Sequence, residues 1–303
     1  MKKKSVRHAD ERRGMSMIVT AACMWGTVGI VGQYLYNNPG MSPLTVGFYR
    51  LAVAACVLLA ARAVVMPKER SALSGGALLG VVAVGVGLGG YQACYFAAVQ
   101  AVGVGVATLA TLGLAPVLVT AGSYVFFGDK VGARVLVALV AALCGLALLV
   151  WDPSGKGLRP EIFAGLALAA GSAAGYAGVT LVSRSISGRV DSFRITLHGF
   201  AIGAVVLLPL ASHAGLDFEP TPNALIPLLY LGLVPSAVAY GLFFSGLRTV
   251  RPATASILTL VEPLTATILA GLVFGERLGY AGVLGGALLL SAVVALYAGR
   301  RDT

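Results

Sequence analysis

Apolar residues in this chain come in long runs broken by short polar punctuation. Ten runs can be marked: residues 15–36, 42–65, 74–99, 104–127, 131–151, 161–185, 192–212, 223–246, 252–274 and 279–298. Each is about twenty residues long, enough for a helix to cross the ~30 Å hydrocarbon core of a bilayer. Strict apolar–polar alternation is absent and Ala, Leu, Gly and Val dominate, so strands are not expected. Backbone groups in lipid must also find their partners within the segment, which selects helices again. The connections are short. Asn37–Met41 carries Asn-Asn-Pro-Gly, Asp152–Pro160 carries Asp-Pro-Ser-Gly, and His213–Pro222 carries Asp-Phe-Glu-Pro-Thr-Pro. None could hold a soluble domain. The pattern predicts an all-α polytopic membrane protein of ten transmembrane helices.

The pattern also repeats. Pro116 to Gly132 matches Pro263 to Gly279 at a shift of 147 residues, with Pro116/Pro263, Thr120/Thr267, Phe127/Phe274, Gly128/Gly275 and Gly132/Gly279 identical. Asp129/Glu276 and Lys130/Arg277 keep their charge. Each copy reads as a helix with a mid-span proline, a tight polar turn and a second helix. A basic tail at 1–14 would precede two five-helix units, 15–151 and 161–298.

Composition agrees: 58% of residues are hydrophobic, 11% are charged, and the mean hydropathy is +0.89. A soluble protein of this size needs far more charge on its surface. The net charge of +10 raises a nucleic-acid reading, but six basic residues crowd Met1–Arg13, where they suit a cytoplasmic tail. The run that follows is too long for the h-region of a signal peptide. Cys23, Cys56, Cys94 and Cys144 all fall inside apolar runs without paired-ligand spacing, so they read as small buried hydrophobes.

Charge placement orients the helices. With a cytoplasmic N-terminus, 18 of the 22 Lys and Arg residues fall inside, and only Lys156, Arg159 and Arg277 fall outside. Arg50 is left within a span. This bias puts both termini in the cytoplasm. Five helices per unit then invert the second unit relative to the first, an arrangement typical of transporters with a site near mid-membrane. The pairs Gly76/Gly80, Gly85/Gly89 and Gly282/Gly286 have the small-xxx-small spacing of close helix packing.

These features together resemble the EamA repeats of the drug/metabolite transporter superfamily. The resemblance rests on ten helices in two halves, Trp25-Gly26 in the first helix, Arg50 in the second, Glu262-Pro263 in the ninth and Gly275-Glu276 at its end. It spans roughly residues 15–298. The first half departs from it, having Ala115-Pro116 and Gly128-Asp129 at the matching places. The resemblance implies secondary transport, often export of amino acids or other small metabolites, with the amino-acid exporters the nearest branch. The implied location is a bacterial-type plasma (inner) membrane.

Ionisable groups at membrane depth cost about 2.5–3.5 kcal/mol on insertion scales and mark functional sites by default. Three stand out: Arg50, Glu262 near mid-depth of its span, and His198 toward the inner side of the seventh. Arg50 and Glu262 lie at similar depth, so they could pair or line one water-filled cavity; the alternatives are a structural ion pair or a protonated acid. For His198 a hydrogen-bonded packing role is favoured. Tyr91 and Tyr95 share a helix face beside Gln92, and Trp25, Tyr176 and Tyr240 lie away from segment ends, so an aromatic cavity for an amphipathic molecule is expected. Ordinary bundle packing is the alternative. Pro116 and Pro263 are hinge candidates, with a static kink as the alternative, and Asp129 and Glu276 read as helix caps.

Enzyme readings find little support. No Asp lies inside any span and there is no Gly-x-Ser-Gly. No nucleotide-binding loop is present, so transport would be passive or driven by a gradient, and no cofactor is implied. Proton coupling through Glu262 stays open. A channel or a non-transporting scaffold remains an alternative class, as does a drug or phosphate-ester transporter of the same superfamily. The expected partners are the lipid bilayer and a small zwitterionic substrate. A sugar phosphate would want several cationic donors, and Arg50 is the only one at depth.

Overall fold

The computed structural model describes residues 2–37, 41–65, 74–102, 104–149, 161–274 and 280–298. Among these the chain is all-helical. In order the helices are α1 (Lys2–Gly26), α2 (Val28–Asn37), α3 (Pro43–Val65), α4 (Gly75–Val102), α5 (Val104–Phe127), α6 (Ala133–Leu149) and α7 (Glu161–Ile186). There follow α8 (Ser192–Ala214), α9 (Pro222–Gly232), a π-helical turn (Leu233–Val238), α10 (Ala239–Gly246), α11 (Pro252–Leu258), α12 (Val261–Phe274) and α13 (Tyr280–Ala298).

Eight helical stretches are long and apolar enough to cross a membrane, and two shorter apolar helices, within α6 and α13, pack on each other. The chain is a multi-pass integral membrane protein. Each of the ten apolar runs coincides with a rod, and three rods are interrupted inside. The first helix begins at Lys2, so the basic stretch drawn as a tail continues α1. The Gly275-Glu276 turn, the loop with Lys156 and Arg159, and Arg300 and Arg301 lie outside the described residues.

Small residues set the closest crossings. A Cβ on Gly89 of α4 would stand 2.7 Å from the Gly203 carbonyl of α8, and one on Gly85 would stand 3.1 Å from the Gly199 carbonyl. With little hydrophobic drive between helices in lipid, close packing of this kind is what holds them. Gly145 of α6 repeats the device on α13, 2.7 Å from the Gly285 carbonyl. Of the other spaced pairs, Gly80 abuts Ile186 and Gly286 meets Leu264, whereas Gly76 faces open space. Cys23 and Cys94 are half-buried, but Cys56 and Cys144 are exposed on the outside of the bundle, so the buried reading fails for those two.

The breaks have local causes. At Thr27 both the backbone N–H and the hydroxyl donate to the Met24 carbonyl, ending α1 where Gly26 presses on the ninth rod. In the eighth rod Pro235 cannot bond the Leu231 carbonyl, and the Ser236 hydroxyl donates to it at 2.7 Å instead. The ninth rod breaks at Thr259–Leu260, and the Glu262 N–H bonds the Thr259 carbonyl at 2.9 Å.

This corrects one expectation. Pro116 does sit inside a continuous helix, but Pro263 does not sit mid-helix; it is the third residue of α12. In a first turn its missing N–H has no intrahelical partner to lose. A second correction concerns Asp129. It does not cap α6, whose first bonds run from Val135 and Leu136 to the Gly132 carbonyl. Gly128, at φ +64°, turns the chain after α5, and Asp129 folds back to accept from the Ser123 hydroxyl at 2.7 Å.

Candidate functional site

The broken rods meet at one level, and the sequence candidates gather there. Trp25, next to last in α1, lays its ring on Tyr240 of α10 (centroids 4.7 Å apart) and on Phe243 (5.3 Å). From the other half, Tyr176 of α7 stands edge-on to Tyr91 of α4 at 6.1 Å and reaches Phe243 at 6.3 Å. The hydroxyls of Tyr91 and Tyr240 hydrogen-bond to each other and close the ring of aromatics. Offset and edge-to-face contacts of this kind hold rings in fixed orientations.

Two opposite charges border that ring. Arg50 on α3 lies within electrostatic range of Tyr91, Tyr240 and Glu262, and also of Tyr36 on α2. No ion pair closer than 4.0 Å joins Arg50 to Glu262. The Arg50 side chain is 9% exposed, and its Nε has no hydrogen-bond partner. The indole Nε1 of Trp25 is likewise buried without a partner. Buried donors left unpaired are costly, so such groups normally signal a ligand or water that completes them. Glu262, the second residue of α12, is deep in the bundle yet only half-buried, as are Tyr91, Tyr95 and Tyr176. Half-buried groups at that depth line an internal space.

The backbone around Glu262 is shaped by its neighbours. A Cβ on Gly26 would stand 2.8 Å from the Glu262 carbonyl and 2.6 Å from Thr265 Cβ, so Gly26 lets the break in the first rod touch the break in the ninth. Thr259, at the break, accepts from the Tyr176 hydroxyl at 3.4 Å.

The remaining candidates sit at the margin or apart. Tyr95 is hydrogen-bonded to Thr108 of α5 at 2.8 Å and lies one turn from the ring. Gln92 is 3% exposed; its amide donates to the Leu88 carbonyl at 3.2 Å and its Oε1 has no partner. The ring nitrogen Nδ1 of His198 lies 2.9 Å from the Arg194 carbonyl one turn back in its own helix. Pro116 is buried in α5, one residue past Ala115, which occupies the place of Glu262 in the first copy. Sequence reasoning missed Phe243, which touches Trp25, Tyr176 and Tyr240, and also Thr259 and Thr108. Phe243 stands three residues after Tyr240 on one helix face, a spacing that could have found it.

Comparison with known proteins gives consistent results. The sequence model of the EamA-like transporter family matches residues 12–151 and 163–298. An uncharacterized transporter of Bacillus subtilis, YwfM, is 31% identical, covering 94% of this chain and 93% of its own. An uncharacterized transporter of Archaeoglobus fulgidus is 30% identical over 93% of this chain and 96% of its own. A solved crystal structure of a protein 20% identical to this one covers 96% of the chain and 99% of its own with a TM-score of 0.78, a shared fold.

Proposed function

The chain belongs to the EamA-like transporter family, and from that premise we propose that it exports small zwitterionic amino acids or similar amphipathic metabolites by alternating access. The observation that carries this reading is the Arg50–Glu262 arrangement. Two opposite charges lie within electrostatic range of each other without an ion pair, beside an aromatic wall and a buried, unpaired indole N–H. A zwitterion would set its carboxylate toward Arg50 and Trp25 Nε1 and its ammonium toward Glu262. Its side chain would rest on Tyr91, Tyr176, Tyr240 and Phe243. Charge-assisted bonds of this kind are roughly twice as strong as neutral ones. An apolar wall with few directional donors discriminates poorly among side chains, so specificity is broad.

Ten crossings in two inverted halves with both termini cytoplasmic belong to this proposal. Matched packing supports it: the first rod packs on the eighth as α7 packs on α4, and the first packs on the ninth as α7 packs on α5. The charge bias along the sequence supports the orientation. Glu262 is the group through which a proton gradient would be coupled.

The test is flux of radiolabelled amino acids and of a sugar phosphate in purified proteoliposomes. Amino-acid flux is expected. Phosphate flux with none for any amino acid would replace this reading with a phosphate-ester transporter.

A further inference from the structure

Arg184, Asp129 and Arg251 lie outside the aromatic site, and together they mark one end of the bundle as closed. That end carries the start of α1, the α5–α6 turn, the end of α7 and the α10–α11 connection; it is called here the tail end. The Arg184 guanidinium donates to the Leu247 and Arg248 carbonyls at 2.5 and 2.6 Å, tying α7 to the turn that follows α10. Asp129, held by Ser123, lies 3.7 Å from Arg251 Nε, tying the α5–α6 turn to the residue before α11. Gly14 and Gly246 pass so closely that a Cβ on Gly246 would stand 2.7 Å from the Gly14 carbonyl, bringing α1 into the same knot.

Packing differs between the ends accordingly. Pro252–Leu258 are all buried, and α11 packs along α5, α6, α7 and α1. Past the break, α12 is mostly half-buried or exposed, and no comparable packing joins it to α5. In α4, buried and exposed residues alternate up to Gly90 as on a helix with one core face and one lipid face. From Tyr91 to Val99 nearly every residue is half-buried, as befits a helix bordering a cavity. The site is therefore shut from the tail end and lined by loosely covered helices toward the other.

The sequence repeats only part of this arrangement. The Gly-acid-base-apolar-Gly turn occurs in both copies, but one repeat earlier the positions of Arg184 and Arg251 are Asn37 and Val104. We propose that Asp129, Arg251 and Arg184 form an ionic latch that holds the tail end closed. A partly exposed ion pair is individually weak, which suits a contact that must break in every cycle. Arg184, with two carbonyl acceptors, is the stronger member. The latch acts by biasing two states of the bundle, not by touching cargo. It holds whatever the cargo is, and its failure would leave the substrate reading untouched.

Hydrogen–deuterium exchange on the full-length protein in nanodiscs tests this directly. In Asp129→Asn and Arg251→Gln, exchange over 247–259 is expected to speed up severalfold while exchange over 91–102 and 107–115 slows. The charge-swapped double variant Asp129→Arg/Arg251→Asp should return both toward wild type. Unchanged exchange over 247–259 would overturn the proposal. So would acceleration of both regions together, which marks general loosening, or a swapped pair no better than the single variants.

Discussion

The fourth and ninth rods descend from the same stretch of sequence, yet one is a continuous helix and the other is broken in two. Both carry the proline, at Pro116 and Pro263, and both carry the threonine four residues later. α5 runs unbroken through Pro116, so the proline does not cause the break. What differs lies just before it: Leu112-Gly113-Leu114-Ala115 in one copy and Thr259-Leu260-Val261-Glu262 in the other. Thr259 offers its hydroxyl to the Ser256 carbonyl at 2.9 Å, a local bond that competes with helix continuation. Gly26 presses on the Glu262 carbonyl from outside the rod. The lesson is that duplication supplied a proline-bearing helix twice, and one copy alone gained an acid and a neighbour's close approach at its break.

The largest effect should come from exchanging the acids between the copies. Glu262→Gln is expected to cut flux at least tenfold with little loss of thermal stability, because the amide keeps the shape of the side chain and no ion pair joins Glu262 to Arg50. Ala115→Glu, at a position 2% exposed, buries a carboxylate in the unbroken copy and should lower stability by about 3 kcal/mol. A parallel loss of flux and stability in Glu262→Gln would make that residue structural. Arg50→Ala leaves Glu262 without its compensating charge and should be worse than the Arg50→Ala/Glu262→Gln double variant in thermal stability. Simple additivity in that cycle would deny the shared field.

A smaller effect is expected at the glycines. Gly26→Ala meets the Glu262 carbonyl and Thr265, so flux should fall severalfold. Gly113→Ala in the unbroken copy meets only Leu143 at 4.0 Å and should gain up to about 1 kcal/mol of helix propensity. Equal effects at the two sites, measured by flux and melting temperature, would break the contrast.

The smallest concerns the prolines. Pro116→Ala restores a hydrogen bond within a helix and should change the melting temperature by a few degrees. Pro263→Ala, in a first turn, should change it by less.

Much of this was legible in the sequence because lipid permits so few solutions. Runs of apolar residues of spanning length must be helices, and all ten coincide with rods. Arg50 and Glu262 stand out in the sequence because a charge at membrane depth needs a reason. The breaks at Thr27, Thr259 and Pro235 were not legible. Each depends on a neighbour or on a side chain that satisfies a freed carbonyl, and periodicity carries no trace of such contacts. Phe243 escaped because one phenylalanine in an apolar run looks like any other. Asp129 was assigned to a cap because its partner, Arg251, lies far along the chain.

The most direct test of the account asks whether two charges read the two ends of one cargo. Proteoliposome uptake of phenylalanine can be set against that of 3-phenylpropionate, which lacks the amine, in wild type, Glu262→Gln and Arg50→Gln. Wild type should favour phenylalanine. Glu262→Gln should lose that preference while retaining carboxylate uptake, and Arg50→Gln should lose uptake of both. An unchanged preference for phenylalanine in Glu262→Gln would contradict the account.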